Sequence, residues 1–262
     1  MSMKLVLKRS LYALAATLGI LIVFGFVLGW LEARVNSRLS SALGWGAVLL
    51  TAAVGTPVHE ICHWLMCKLF GLKVVDVALF RPVAARHDGV LGYVQYAWSE
   101  SSLWQRLGCF FSGIAPLLLG VLVILLVVRL LTPEAWRGIS EQLEEKNRKK
   151  VGNPFRGLWN GFLGFWSGIF SLRGARIIRG VLCVYIVLSI SMHMTLSSAD
   201  LHGALTGLPV LLLCYLIYGV VTDLLGTDYQ KQAARCASLL LSFLSIGLIC
   251  DIVLLILTWI VF

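Results

Sequence analysis

A chain of 262 residues that is 59% hydrophobic, 13% charged and of mean hydropathy +0.88 has too little polar surface for a water-soluble domain. Its formal charge of +9 would suit nucleic acid, but the basic residues flank apolar runs, so the expected contact is with anionic lipid headgroups and no nucleic acid partner is expected. Seven cysteines form no CxxC pair and lie mostly inside apolar runs, so no disulfide framework is implied.

Apolar stretches of the roughly 20 residues needed to cross a bilayer occupy about 11–31, 45–67, 107–131, 177–197, 204–222 and 236–262. The expectation is an all-α polytopic membrane protein of about six transmembrane helices. It would be a single membrane domain over residues 1–262, multi-pass in the cell membrane. Lys4, Lys8 and Arg9 before the first stretch resemble the charged start of a signal peptide. Its uncharged length and the lack of a small-x-small cleavage site predict a retained span.

The second stretch contains His59-Glu60-Ile61-Cys62-His63, an HExxH motif. On a helix the two histidines project from one face, about 40° apart, so their ring nitrogens can share one tetrahedral Zn²⁺. Glu60 falls roughly 60° further round, within reach of a reacting water but not a ligand. This is the layout of a zinc hydrolase, with the carboxylate as the proton acceptor. An ionisable pair in a membrane span costs about 2.5–3.5 kcal/mol per group, which makes function the default explanation. Cys62 points away from both histidines and reads as a packing residue, whereas Thr56 and Pro57 are placed to shape an opening on the motif's face.

The motif helix is predicted to end near Phe70-Gly71, with Lys68 at the negative end of its dipole. Residues 73–80 and 90–98 are then β-rich, separated by Arg81-Pro82 and a turn at His87-Asp88-Gly89. One or two β-hairpins at the membrane surface are expected beside the motif. They would either hold an extended peptide by strand addition or serve as a connector. His87 reads as a turn residue.

Residues 132–176 are the one long polar interruption. Pro133 to Lys150 suits an amphipathic helix with Trp136, Ile139 and Leu143 on one side and the pairs Glu144/Arg148 and Glu145/Lys149 on the other. Gly152-Asn153-Pro154 breaks it. The aromatic, uncharged run from Gly157 to Leu172 is too short for a span and suits an interfacial or re-entrant helix. Arg173, Arg176 and Arg179 follow, spaced to meet lipid phosphates.

Two histidines leave a catalytic zinc site one ligand short. Asp200, Asp223 and Asp251 are the acids in later spans. Asp200 also fits a capping box with Ser197, Asp223 an interfacial helix end, and Asp251 a hydrogen bond within the bundle. The capping box leaves His193, in its apolar run, unexplained.

At these residues the chain resembles the site-2 protease family of intramembrane zinc metalloproteases, in particular its compact bacterial members. The resemblance covers the HExxH span, the β-rich segment, the next span and the span ending at Asp200. The family's Gly-Pro-x-Ala-Asn signature is echoed by Ser112-Gly113-Ile114-Ala115-Pro116-Leu117, where Ala115 stands for the glycine and no asparagine follows. Its later signature, an Asn about eight residues before a metal-binding Asp-Gly, is matched by His193 seven before Asp200, with Gly203 three after. The resemblance implies Asp200 as third ligand and His193 in the asparagine's role. His193 would help hold the oxyanion, with its own ligation the alternative. The expected activity is zinc-dependent cleavage of membrane-spanning or membrane-adjacent peptides, with Glu60 as general base. A membrane metal transporter or sensor, and a non-catalytic scaffold for client helices, are competing readings of the same residues.

Overall fold

The computed structural model describes residues 3–148, 154–225, 244–245 and 247–260. Helix α1 (Met3–Leu43) runs unbroken through the first apolar stretch, and Gly44, at φ 78°, separates it from α2 (Trp45–Leu69). α2 is the central element and packs against α1 and three later helices. It stops where the sequence predicts: Phe70 is the C-cap and Gly71 takes the left-handed φ of 67°. Phe70 is buried between Phe111 and Trp104, at ring-centroid distances of 5.3 and 4.6 Å.

The β-rich segment forms one antiparallel pair, β1 (Lys73–Ala78) with β2 (Tyr93–Ala97), and a bulge between Val74 and Asp76. The strands are shorter than the sequence suggests because the chain between them turns through α3 (Ala85–Asp88), closed by Gly89 at φ 74°. Arg81 pairs with Asp88 at 2.8 Å. The Val90 N–H, with Arg81 beside it, holds the Asp88 carboxyl below the usual carboxylate range. His87 is exposed on this turn, as expected of a turn residue.

The third apolar stretch is not one straight helix. It breaks at Ile114 into α4 (Leu103–Gly113) and α5 (Ala115–Leu131), bent by 59°. Pro116 lacks an N–H and its ring cannot follow a straight helical turn, which accounts for the break.

α6 (Pro133–Arg148) and α7 (Pro154–Phe170) pack closely against each other as a helical hairpin. Trp136 and Ile139 face the main core, with Ala135 and Phe165 buried in it. Leu143 and the pairs Glu144/Arg148 and Glu145/Lys149 rest on side chains outside the described residues. Arg176 is bonded to Glu134 at 3.1 Å, and the Arg173 Nη1 donates to the Phe170 and Leu172 carbonyls.

α8 (Arg176–Met192) ends five residues sooner than the expected 177–197 stretch. A short loop leads to α9 (Ser198–Leu224), and α10 spans Gly247–Ile260. The core lies where α1, α5, α8 and the 193–197 loop meet, with Leu28, Leu117, Ile124, Ile190 and Met194 all at or below 2% exposed.

Among the described residues, two helical stretches are long and apolar enough to cross a membrane, Ser10–Leu43 and Ser198–Thr222, or three if the bent α4–α5 pair counts as one. Six transmembrane helices are therefore not shown. α2 is long enough, but His59, Glu60 and His63 dilute its apolar content. α8 has only 17 residues. Within the sixth expected stretch, 236–243, 246 and 261–262 lie outside the described residues.

The α6–α7 crossing is close enough that a Cβ on Gly138 would meet the Gly164 oxygen at 2.4 Å, and one on Gly164 the Gly138 oxygen at 2.5 Å. Gly164→Leu is predicted to force the helices apart and destabilise the fold by about 1–3 kcal/mol, the usual cost of overpacking. Thermal unfolding in detergent checks this, and an unchanged Tm would mean that the contact does not hold the hairpin.

Candidate metal centre

The site begins with a contact between α2 and α8. The Ser189 hydroxyl of α8 bridges two backbone groups one turn apart on α2, accepting from Gly55 N at 2.9 Å and donating to the Thr51 oxygen. Gly55 permits this approach, since a Cβ there would sit 2.1 Å from the Ser189 carbonyl oxygen and 2.5 Å from the His193 Nδ1. Two residues later Pro57 lacks a helix donor. α2 therefore enters the motif pressed against α8.

His59 and His63 lie on that face, their Nε2 atoms 2.9 Å apart. The other nitrogen of each ring is held by a backbone carbonyl. His59 Nδ1–H donates to the His193 oxygen at 2.6 Å, and His63 Nδ1–H donates to the Ser112 oxygen at 2.7 Å. Both acceptors lack the usual helical donor four residues on, for a reason legible in the chain. Residue 116 would normally bond the carbonyl four residues back, Ser112, but Pro116 has no N–H to give. His193 is the C-cap of α8, where carbonyls lack helical partners. A carbonyl only accepts, so each Nδ1 carries the proton and each Nε2 presents a lone pair.

Asp200 completes the cluster from the first turn of α9. Its Oδ1 lies 3.1 Å from His63 Nε2 and its Oδ2 3.8 Å from His59 Nε2. The capping box is also present: Ser197 N–H donates to Asp200 Oδ2 at 2.8 Å and Asp200 N–H to Ser197 Oγ at 3.1 Å. Thus the cap and the cluster use the same carboxylate, and the cap aims it.

The donor set fits a small divalent cation. Two lone pairs and a carboxylate facing one another at 2.9–3.8 Å repel unless a positive charge lies between them. Tetrahedral Zn²⁺ with bonds of about 2.0–2.1 Å would put its ligand atoms roughly 3.3 Å apart. Among the described residues, His59, His63 and Asp200 are the group of metal-binding side chains whose ligand atoms all lie within 4.8 Å of one another. His193 is not in that group.

Glu60 is 6% exposed and lies under the segment that precedes β2, where a Cβ on Gly92 would meet Glu60 Cγ at 2.8 Å and Thr56 Cγ2 at 2.9 Å. Thr56 Oγ1 is buried there without a hydrogen-bond partner. The His193 ring donates from Nδ1 to the Ser189 oxygen at 2.9 Å, which leaves Nε2 a buried, unpartnered acceptor. In that tautomer it would donate to an oxyanion only as an imidazolium. The contact His193 makes with the cluster is its main-chain carbonyl on His59.

Of the other acids, Asp251 is fully buried and accepts from Ser191 Oγ at 2.7 Å, as a bundle hydrogen bond predicts, and the Asp223 side chain lies outside the described residues. Sequence reasoning named Ser112 and Pro116 as part of a signature but missed their support of His63, and it missed Ser189 altogether. The Ser112–Pro116 spacing of four was a usable signal; Ser189 left none. Tyr96 was missed too: its hydroxyl stands 2.7 Å from where a Gly203 Cβ would be, on the α9 turn after Asp200, and burial raises its pKa so that it stays a neutral donor.

No family model, curated protein or solved structure matches the chain.

Pro116→Ala returns an N–H that competes with His63 for the Ser112 carbonyl. Zinc affinity, measured by competition with a chelator, should weaken by about 10–100-fold, the usual cost of losing a partner that orients a ligand. Unchanged affinity would remove the carbonyl from the account.

Proposed function

We propose that the chain is a zinc-dependent intramembrane endopeptidase acting on membrane-spanning or membrane-adjacent peptides, in a multi-pass protein of the cell membrane. The observation that carries this reading is the convergence of Asp200 on His59 and His63, with the Glu60 carboxylate buried on the same helix.

Zn²⁺ held by His59, His63 and Asp200 would supply Lewis acidity, polarising a peptide carbonyl and acidifying water. The chain's residues do the rest. Ser112 and His193 hold the imidazoles in one tautomer, so neither ligand must reorganise. Glu60 takes the proton of the attacking water and hands it to the departing amide nitrogen. Low polarity around Glu60 strengthens its interaction with that proton.

Each strand of the β1–β2 pair has one edge without a neighbouring strand among the described residues, and the approach to β2 covers Glu60. An unwound substrate segment fits that edge by strand addition, which brings its backbone to the carboxylate. Single prolines along β1 and β2 should then raise KM while sparing kcat. A scan that leaves KM unchanged would reduce the sheet to a connector.

Glu60→Gln keeps the side chain's shape and loses the base. Cleavage of a transmembrane reporter in proteoliposomes should fall by at least about 10²-fold, with zinc content retained at one per chain. His59→Ala/His63→Ala should lose the zinc itself. Wild-type cleavage by Glu60→Gln, or full zinc in the double mutant, would end this reading.

A further inference from the structure

A second built site lies at the far end of α1. Trp30, Arg34 and Arg38 recur every four residues, which places them on one helix face. α10 presents Leu255 and Trp259 toward them with the same spacing. Together with Ser37 these side chains line a half-open groove of about 340 Å³. The Arg34 guanidinium lies 5.4 Å from the Trp30 ring centre, and that of Arg38 3.2 Å from the Trp259 ring centre. Leu255 joins the groove to the small core of Val35, Leu39, Val48 and Met192 beneath it.

The two guanidinium groups have no carboxylate partner among the described residues. The nearby acids are engaged elsewhere. Glu32 accepts from Thr195 at 2.8 Å, and Asp251 from Ser191 at 2.7 Å. The groove therefore offers two fixed, unneutralised forks of N–H donors, each backed by an indole face. That chemistry suits the paired oxygens of a phosphate.

Its position selects the kind of phosphate. Arg34 and Arg38 follow the uncharged 11–31 run, in the last part of α1, and the tryptophans beside them are of the type that collects at a membrane–water interface. Trp30 and Trp259 are 55% and 65% exposed, and Phe26, one turn deeper on α1, is 66% exposed. A free phosphate uses none of that apolar surface; a lipid tail does. We infer that this groove binds the phosphodiester headgroup of an anionic membrane lipid, with the phosphate between Arg34 and Arg38 and an acyl chain along Trp30 and Phe26. This inference does not depend on the protease reading.

Native mass spectrometry of the full chain in detergent tests it. Phosphatidylglycerol and phosphatidylcholine are titrated separately, with inorganic phosphate as competitor. The wild type should retain one phosphatidylglycerol at least about tenfold more tightly than phosphatidylcholine, and Arg34→Gln/Arg38→Gln should erase that preference. Arg38→Lys keeps the charge but loses the fork, so it should fold normally and weaken phosphatidylglycerol retention several-fold. Equal retention of both lipids by the wild type would overturn the proposal. So would full preference in Arg34→Gln/Arg38→Gln, or, should that variant fail to fold, full preference in Arg38→Lys. Displacement of the lipid by millimolar inorganic phosphate would identify a free-phosphate site and overturn it as well.

Discussion

Two backbone carbonyls that their own helices cannot use hold the centre of this protein together. Ser112 is released by Pro116, and His193 by the end of α8, and each accepts the Nδ1–H of one motif histidine. In an apolar setting an unpaired carbonyl or imidazole N–H is costly, so these two bonds set the histidine rotamers and tautomers together. The Nε2 lone pairs are thereby turned toward each other and toward Asp200. The break between α4 and α5 and the early stop of α8, which look like irregularities of apolar helices, are what make the cluster.

In the membrane bundle proposed above, expulsion of water from between the helices would contribute little, and cohesion would come from close packing and polar contacts across helices. The segment around His193 is secured in that way from three sides. Ser189 bridges Gly55 and Thr51 of α2, Ser191 donates to Asp251 of α10, and Thr195 donates to Glu32 of α1. Contacts of this class contribute roughly 0.6–2 kcal/mol each. Together they fix the loop that carries both the His193 carbonyl and the approach to Asp200, so α1 and α10 support a site that neither touches.

For the peripheral parts the structure adds contacts that the sequence does not show. Pro133 to Lys150 read as an amphipathic helix and Gly157 to Leu172 as an interfacial or re-entrant one. Gly138 and Gly164 let the two helices pack on each other, and Trp136 and Ile139 turn to the core. Arg176, one of three arginines that looked available to lipid, is occupied by Glu134, while Arg34 and Arg38 on α1 remain without a carboxylate partner among the described residues. Charge counts along a chain do not reveal which cations are neutralised by folding.

The sequence by itself determined what depends on neighbours along the chain. HExxH spacing puts two imidazoles on one face, Gly71 ends α2, Ser197 and Asp200 make a capping box, and alternating residues after the motif pair as β1 and β2. It also narrowed the third ligand to a few acids without choosing among them by spacing. Tertiary structure decided the rest, because the choice turns on distances between residues far apart in sequence. Asp200 reaches His63 across 137 positions, Asp251 is taken by Ser191, and His193 presents its main-chain oxygen to His59 while its ring bonds within its own helix. A backbone carbonyl has no signature in the residue name, so what holds each histidine became visible only when the helices were packed.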